Sequence, residues 1–161
     1  MDRDQLRKSW RATIEHDGGY CPVCDRWGRI YARNINKTMA HSLMWLCQAG
    51  KDENGWVDVP TNAPRWLVRS NQLATLRWWE LVVRRGNDDP KNKHSGMWKA
   101  TKLGVDFVHG VQKIPEKVYT YKGDVEVVSQ NLVHISECFK EYFDYEQLMN
   151  EYFPPSQGKL F

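Results

Sequence analysis

Cys21-Pro22-Val23-Cys24 is the sharpest chemical spacing in this chain. A C-x-x-C turn presents two thiolates to one tetrahedral ion, and zinc then wants two further ligands. No second C-x-x-C follows, so the available partners are His16, His41, Cys47 and Cys138. His41 and Cys47 fall on one expected helix but not one turn apart, so that helix does not present both. Two readings stay open: one structural zinc held by Cys21 and Cys24 with His16, His41 or Cys47, or a pair of reduced thiols in a bend fixed by Pro22. A redox dithiol is not expected, because no thioredoxin-like βαβ pattern surrounds the pair.

Catalytic constellations are harder to find. None of the five histidines (16, 41, 94, 109 and 134) stands beside a nucleophile and an orienting acid. Asp88-Asp89 lie in a polar loop, and Glu146 and Glu151 are five apart on a helix, off one face. Neither pair can be held across a cleft as glycoside hydrolysis requires. There is no phosphate-cradling G-x-x-x-x-G-K-[ST], no G-x-G-x-x-G and no H-E-x-x-H. The expectation is a non-enzymatic protein.

The remaining chemistry is that of recognition. Residues 71–80 read as a helix on which Leu73 and Leu76 face a core, while Asn71, Gln72, Thr75 and Trp78 point outward with Arg77 at the edge. Gln and Asn can read adenine edges and Arg can read guanine. Arg69, Arg84, Arg85, Lys91, Lys93 and Lys99 would neutralise phosphates around that helix. Charge supports the assignment: residues 61–113 carry ten Lys/Arg against four acids, whereas residues 114–161 carry four against eight. The middle attracts a polyanion and the tail repels one.

The elements that position these residues follow from periodicity. Leu6, Trp10 and Ile14 make a thin helical stripe over 3–15, ended by Gly18-Gly19. Residues 27–33 read as a short strand. Asn36 or Thr38 caps a helix over 37–49 that buries Met39, Leu43, Leu46 and Cys47 and stops at Gly50. Trp56 to Val59 alternate as a strand, Thr61 to Pro64 open a short helix, and the helix over 71–80 comes next. Strands at 81–85 and 97–100 flank a polar loop, and a short helix begins after Thr101. This order is that of a winged helix-turn-helix. Beyond Gly110, residues 118–121, 125–128 and 132–135 read as a three-strand meander. Asp144 and Gln147 then make a capping-box-like start for a helix over 145–152.

The run Leu76…Leu81-Val82-Val83-Arg84-Arg85, then Asp88-Asp89-Pro90, then Trp98…Thr101-Lys102-Leu103-Gly104…Phe107 resembles the wing of MarR-type and related regulators, over residues 36–110 of the 161. That resemblance implies a DNA-binding winged helix. Glu80 departs from it, standing where the family commonly has glycine. The knuckle, the winged helix and the segment Phe143, Tyr145, Glu146, Leu148, Met149 together also resemble small phage-encoded proteins of no agreed activity.

The expected fold is α+β in three parts: an N-terminal helix and CPxC knuckle (1–35), a winged helix-turn-helix core (36–110), and a β-meander with a terminal helix and loose tail (111–161). DNA is the expected partner. The alternative is a viral protein-binding effector that blocks a host complex, with Trp78 as its contact. Homo-oligomers are compatible with either. No apolar run reaches the length of a membrane span and the charged N-terminus lacks a signal, so a cytoplasmic site is expected, the host cytoplasm for a phage protein.

Overall fold

A computed structural model describes residues 2–51, 54–86 and 94–155. It is a mixed α+β chain with small antiparallel sheets, and it separates into two compact units. One joins residues 1–34 to 115–131, and the other joins 35–114 to 132–161. Among the described residues no helix is long and apolar enough to cross a membrane.

In the first unit, helix α1 (Arg3–Glu15) starts at a reciprocal capping box between Asp2 and Gln5, which satisfies two of the N–H groups a helix start leaves unpaired. Its stripe buries progressively: Leu6 is exposed, Trp10 half-buried and Ile14 buried. Strands β1 (Gly19–Tyr20) and β2 (Trp27–Gly28) pair antiparallel. The expected strand over 27–33 is broken after Gly28, where the Ile30 N–H turns aside to the Ile14 carbonyl at 2.8 Å. Pairing resumes in β3 (Tyr31–Asn34). The partner of β3 is β8 (Lys117–Tyr121), which in turn pairs with β9 (Asp124–Val128), in the order β3-β8-β9. Trp10 Nε1 donates to Tyr121 Oη at 3.3 Å, and Arg11 reaches Glu126 at 3.0 Å, so α1 packs on this sheet.

In the second unit, helix α2 (Lys37–Ala49) runs as the sequence predicts, capped by the Asn36 side chain on the Met39 N–H at 2.9 Å and closed at Gly50. It buries Met39, Ala40, Leu43, Met44 and Leu46, and Ser42 satisfies its buried hydroxyl on the Thr38 carbonyl. Strand β4 (Val57–Asp58) leads into the single turn α3 (Val59–Asn62), then α4 (Arg65–Ser70). Pro64 is the N-cap of α4 rather than part of its first turn.

The helix expected over 71–80 is instead a 3-10 segment, Leu73–Trp79, bounded by left-handed residues at Asn71 and Glu80. Its apolar residues explain the change. Leu73, Leu76 and Trp79 are all buried, and they recur every third residue, the period of a 3-10 turn and not of an α-helix.

Strands β5 (Val82–Gly86) and β6 (His94–Ala100) form a hairpin, with sheet order β4-β6-β5. Helix α5 (Lys102–Val108) starts at Thr101, whose hydroxyl accepts the Gly104 N–H at 3.1 Å and donates to the Glu80 carbonyl at 2.6 Å. Leu43, Leu67, Leu76, Leu81 and Phe107 form the core of this unit.

The expected meander does not extend to a third strand. Residues Leu132–Val133 (β10) pair with Ile114–Pro115 (β7) instead of with β9. Residues Ile135–Cys138 then turn as a 3-10 segment, with Glu137 capping the His134 N–H at 2.6 Å. The last helix, α6 (Tyr142–Tyr152), begins three residues before the expected start and has no side-chain cap. Asp144 therefore stands inside the first turn, not at the cap, and pairs with Lys37 at 2.9 Å. Tyr145 donates to the Val108 carbonyl at 2.9 Å.

Candidate nucleic-acid interface

The second unit gathers some of the expected recognition residues and ties up others. Gln72 is half-buried, and its side-chain oxygen accepts from Asn36 Nδ2 at 3.0 Å. Asn36 is also the cap of α2, so Gln72 fastens the start of the 3-10 segment to the start of that helix. Thr75 donates its hydroxyl to the Gln72 carbonyl at 2.5 Å. Neither side chain is posed as an outward reader. Trp78, expected outward, is half-buried, with the Arg77 guanidinium 5.2 Å from its ring. Arg77 itself is exposed and donates to the Ala74 carbonyl at 3.1 Å.

Arg77 and Arg84 do come together. Both line a surface depression of about 450 Å³ with Val82, Val83 and Trp98. Trp98 lies across the hairpin from Arg84, whose guanidinium stands 5.1 Å over the indole. A cation over an indole face gains attraction and has fewer orientations to lose when it meets an anion. A second depression, of about 260 Å³, shares Arg84 and Trp98 and reaches Asn71 and Ala74. Asn71 is exposed and left-handed, an orientation that Asn adopts more readily than most residues.

The other cations are dispersed. Arg69 is exposed in the last turn of α4. Arg85 and Lys99 both stand near Trp56, at 6.0 and 5.7 Å from its centroid. Lys99 also lines an open cavity of about 670 Å³ with Cys47, Lys51 and His109. Lys91 and Lys93 lie outside the described residues.

What the sequence reading missed is the cross-strand pairing of Arg84 with Trp98. The signal was there in the Arg84-Arg85 and Met97-Trp98 segments, but the register that pairs their strands could not be read from the sequence between them.

The knuckle residues form a tight turn. The Cys21 N–H donates to the Arg26 carbonyl and the Asp25 N–H to the Cys21 carbonyl, each at 2.8 Å. Backbone N–H groups of Cys24 and Val23, with Lys122 nearby, hold the Cys21 thiol below its ordinary pKa. Among the described residues no three His, Cys, Asp or Glu side chains gather as metal ligands. His16 caps the end of α1. His41 and Cys47 belong to the other unit. There His41 Nε2 is bonded to Tyr152 Oη at 2.7 Å, with its ring stacked on Trp66 at 4.4 Å. Burial pushes the Cys47 thiol up to about 12, so it stays protonated in this fold.

Comparison with family models, curated proteins and solved structures found no match.

Proposed function

We propose that the chain binds duplex DNA through its second unit, as a winged helix. The sheet order β4-β6-β5, with α2 before it, α4 and the 3-10 segment within it and α5 after it, supports that architecture. The observation that carries the function is that Arg77 and Arg84 line one depression with Trp98, while Arg84 and Trp98 line a second with Asn71. It puts two cations and one amide at the junction of the 3-10 segment with the hairpin, within a stretch of strong positive excess. Base reading then falls to Asn71 and Arg77, in place of Gln72 and Thr75.

A polarisation titration against duplex DNA at two salt concentrations tests this. Affinity should fall steeply with salt. Arg84→Gln should weaken all sequences alike and flatten the salt slope by roughly one unit. Asn71→Ala should instead relax sequence preference at a cost of about 1–3 kcal/mol. Absence of binding at low salt rejects the reading.

A protein-binding effector is the second reading. The internal hydrogen bonds of Gln72 and Thr75 favour it, as do the exposed Trp66, Val68 and Val83. It predicts that the same substitutions leave DNA affinity at background while Trp66→Ala breaks a protein complex.

A further inference from the structure

The first unit carries an aromatic face that the duplex reading does not use. Tyr20 and Trp27 are cross-strand partners in the β1–β2 hairpin, packed edge to face with centroids 5.3 Å apart. Trp27 Nε1 donates to Tyr31 Oη at 3.3 Å, linking a third ring. These rings remain 67%, 48% and 41% exposed respectively. Exposed large aromatics side by side mark a contact surface. The platform is braced from behind, since a Cβ on Gly18 would meet the Trp27 ring at 2.8 Å, and Gly18 is left-handed at φ 79°. Only glycine lets the turn lie so close against that ring.

The charge around the rings selects the partner. From Gly18 to Asn36, the stretch that carries all three rings, there are three arginines against one acid, Asp25. The Arg29 and Arg33 guanidiniums stand 5.6 and 5.2 Å from the Tyr31 centroid. Two guanidiniums thus flank the exposed Tyr31 ring, and Arg26 directly precedes Trp27 in the chain. That is what a polyanion with flat, unpaired faces requires: stacking surfaces for its bases and guanidiniums for its phosphates. In a duplex the base faces are already stacked on one another, and an acidic peptide offers charge without planar faces.

We propose that Tyr20, Trp27 and Tyr31, with Arg26, Arg29 and Arg33, bind single-stranded nucleic acid. The inference stands independently of the duplex reading and uses the other unit.

The test is a polarisation titration of the full chain against a labelled twenty-nucleotide oligo-dT strand, with the corresponding duplex and poly-L-glutamate as competitors. Oligo-dT should bind with marked salt dependence, and poly-L-glutamate should displace it poorly. Tyr20→Ala and Tyr31→Ala should each weaken oligo-dT about tenfold, and Tyr20→Phe should restore it. Arg29→Gln should weaken binding and lower the salt slope. These changes should leave duplex affinity unchanged, whereas Arg84→Gln should weaken the duplex and spare oligo-dT. Failure of one reading is therefore distinguishable from failure of the other. Tyr20 is largely exposed, so its removal should cost little beyond the edge-to-face pair with Trp27, and each variant is titrated at a temperature where its unfolding curve shows it folded. Oligo-dT affinity within twofold of the parent in both tyrosine variants overturns the proposal. So does displacement by poly-L-glutamate at equal charge concentration, or no binding of oligo-dT at low salt.

Discussion

Gly104→Ala should destabilise the second unit severely, although alanine is the better helix former. Gly104 is buried in α5, and a Cβ there would come under 3.0 Å from the Leu81 carbonyl oxygen, a backbone atom with no flexible end to swing away. Leu81 is fully buried, and its carbonyl accepts the Thr101 N–H at 3.0 Å. Relief therefore requires either α5 or the start of β5 to move, and either movement strains the Thr101 junction. Overpacking costs about 1–3 kcal/mol and a weakened buried hydrogen bond about 1 kcal/mol. The alanine gains about 1 kcal/mol in helix propensity. A net loss of about 2 kcal/mol is expected. Urea unfolding followed by tryptophan fluorescence measures it. Gly86→Ala is the control, because a Cβ there meets nothing within 4 Å and should be neutral or slightly stabilising. Should Gly104→Ala unfold at the parental midpoint, or shift upward with Gly86→Ala, the close approach of α5 to Leu81 is wrong.

Glu80→Gly should raise stability by about 0.5–1 kcal/mol in the same assay, because Glu80 holds φ 61°, where glycine avoids the Cβ penalty. Burial holds the half-buried His41 below its ordinary pKa, reinforced by Lys37 and opposed by Glu151. The folded chain then binds fewer protons than the unfolded one near pH 6, so stability should fall as pH drops through about 6.5, and His41→Phe should flatten that fall. Cys47 and Cys138 are pushed up to about 12 by burial, with Glu137 adding to the shift at Cys138. They should react more slowly with a thiol reagent than Cys21 and Cys24, because their thiolate fraction is smaller, and urea should remove the difference. Because these two thiols stay protonated in the folded chain, stability should decline as pH rises above about 9, a decline that Cys47→Ala reduces.

The sequence was most readable where local signals agree. Helix α2 was expected at 37–49 and stands there, because Asn36 and Gly50 punctuate a stripe whose period is unambiguous. The hairpin strands and α5 were readable for the same reason. At 71–80, helical propensity and a short apolar series suggested an α-helix, but the spacing of Leu73, Leu76 and Trp79 carries a period of three. Three residues are too short a series to outweigh helical propensity in a sequence, but in the folded chain all three are buried and the left-handed Asn71 and Glu80 flank the segment. Glu80 was already noticeable as a departure from an expected glycine, and its φ of 61° shows why glycine would suit the position. The third meander strand failed for a different reason. Whether Leu132-Val133 pairs with β9 or with Ile114-Pro115 is a choice between distant segments, and alternation within a strand says nothing about its partner.

The candidate interface was partly legible for the same physical reason. Residue type and charge single out Arg77 and Arg84 as candidates, but whether a polar side chain faces outward depends on whom it can bond within the fold. Gln72 had the type expected of a base reader; its partner is Asn36, thirty-six positions earlier. Thr101-Lys102-Leu103-Gly104, noticed first as part of a resemblance, has a structural reason of its own. Thr101 joins the start of α5 to the Glu80 carbonyl, and Gly104 lets that helix lie against Leu81. Thr101 ties the start of α5 to Glu80 and Leu81, which join the 3-10 segment of Arg77 to the strand of Arg84, and those two arginines line one depression. Thr101→Val, which removes both hydrogen bonds while keeping the side chain's shape, should therefore loosen the spacing between the two arginines. Duplex affinity should fall by more than the loss of stability explains, even though Thr101 itself is placed on neither depression. A Thr101→Val chain that is less stable but binds duplex DNA as tightly as the parent, at temperatures where both are folded, would show that the joint holds the fold together without setting the interface.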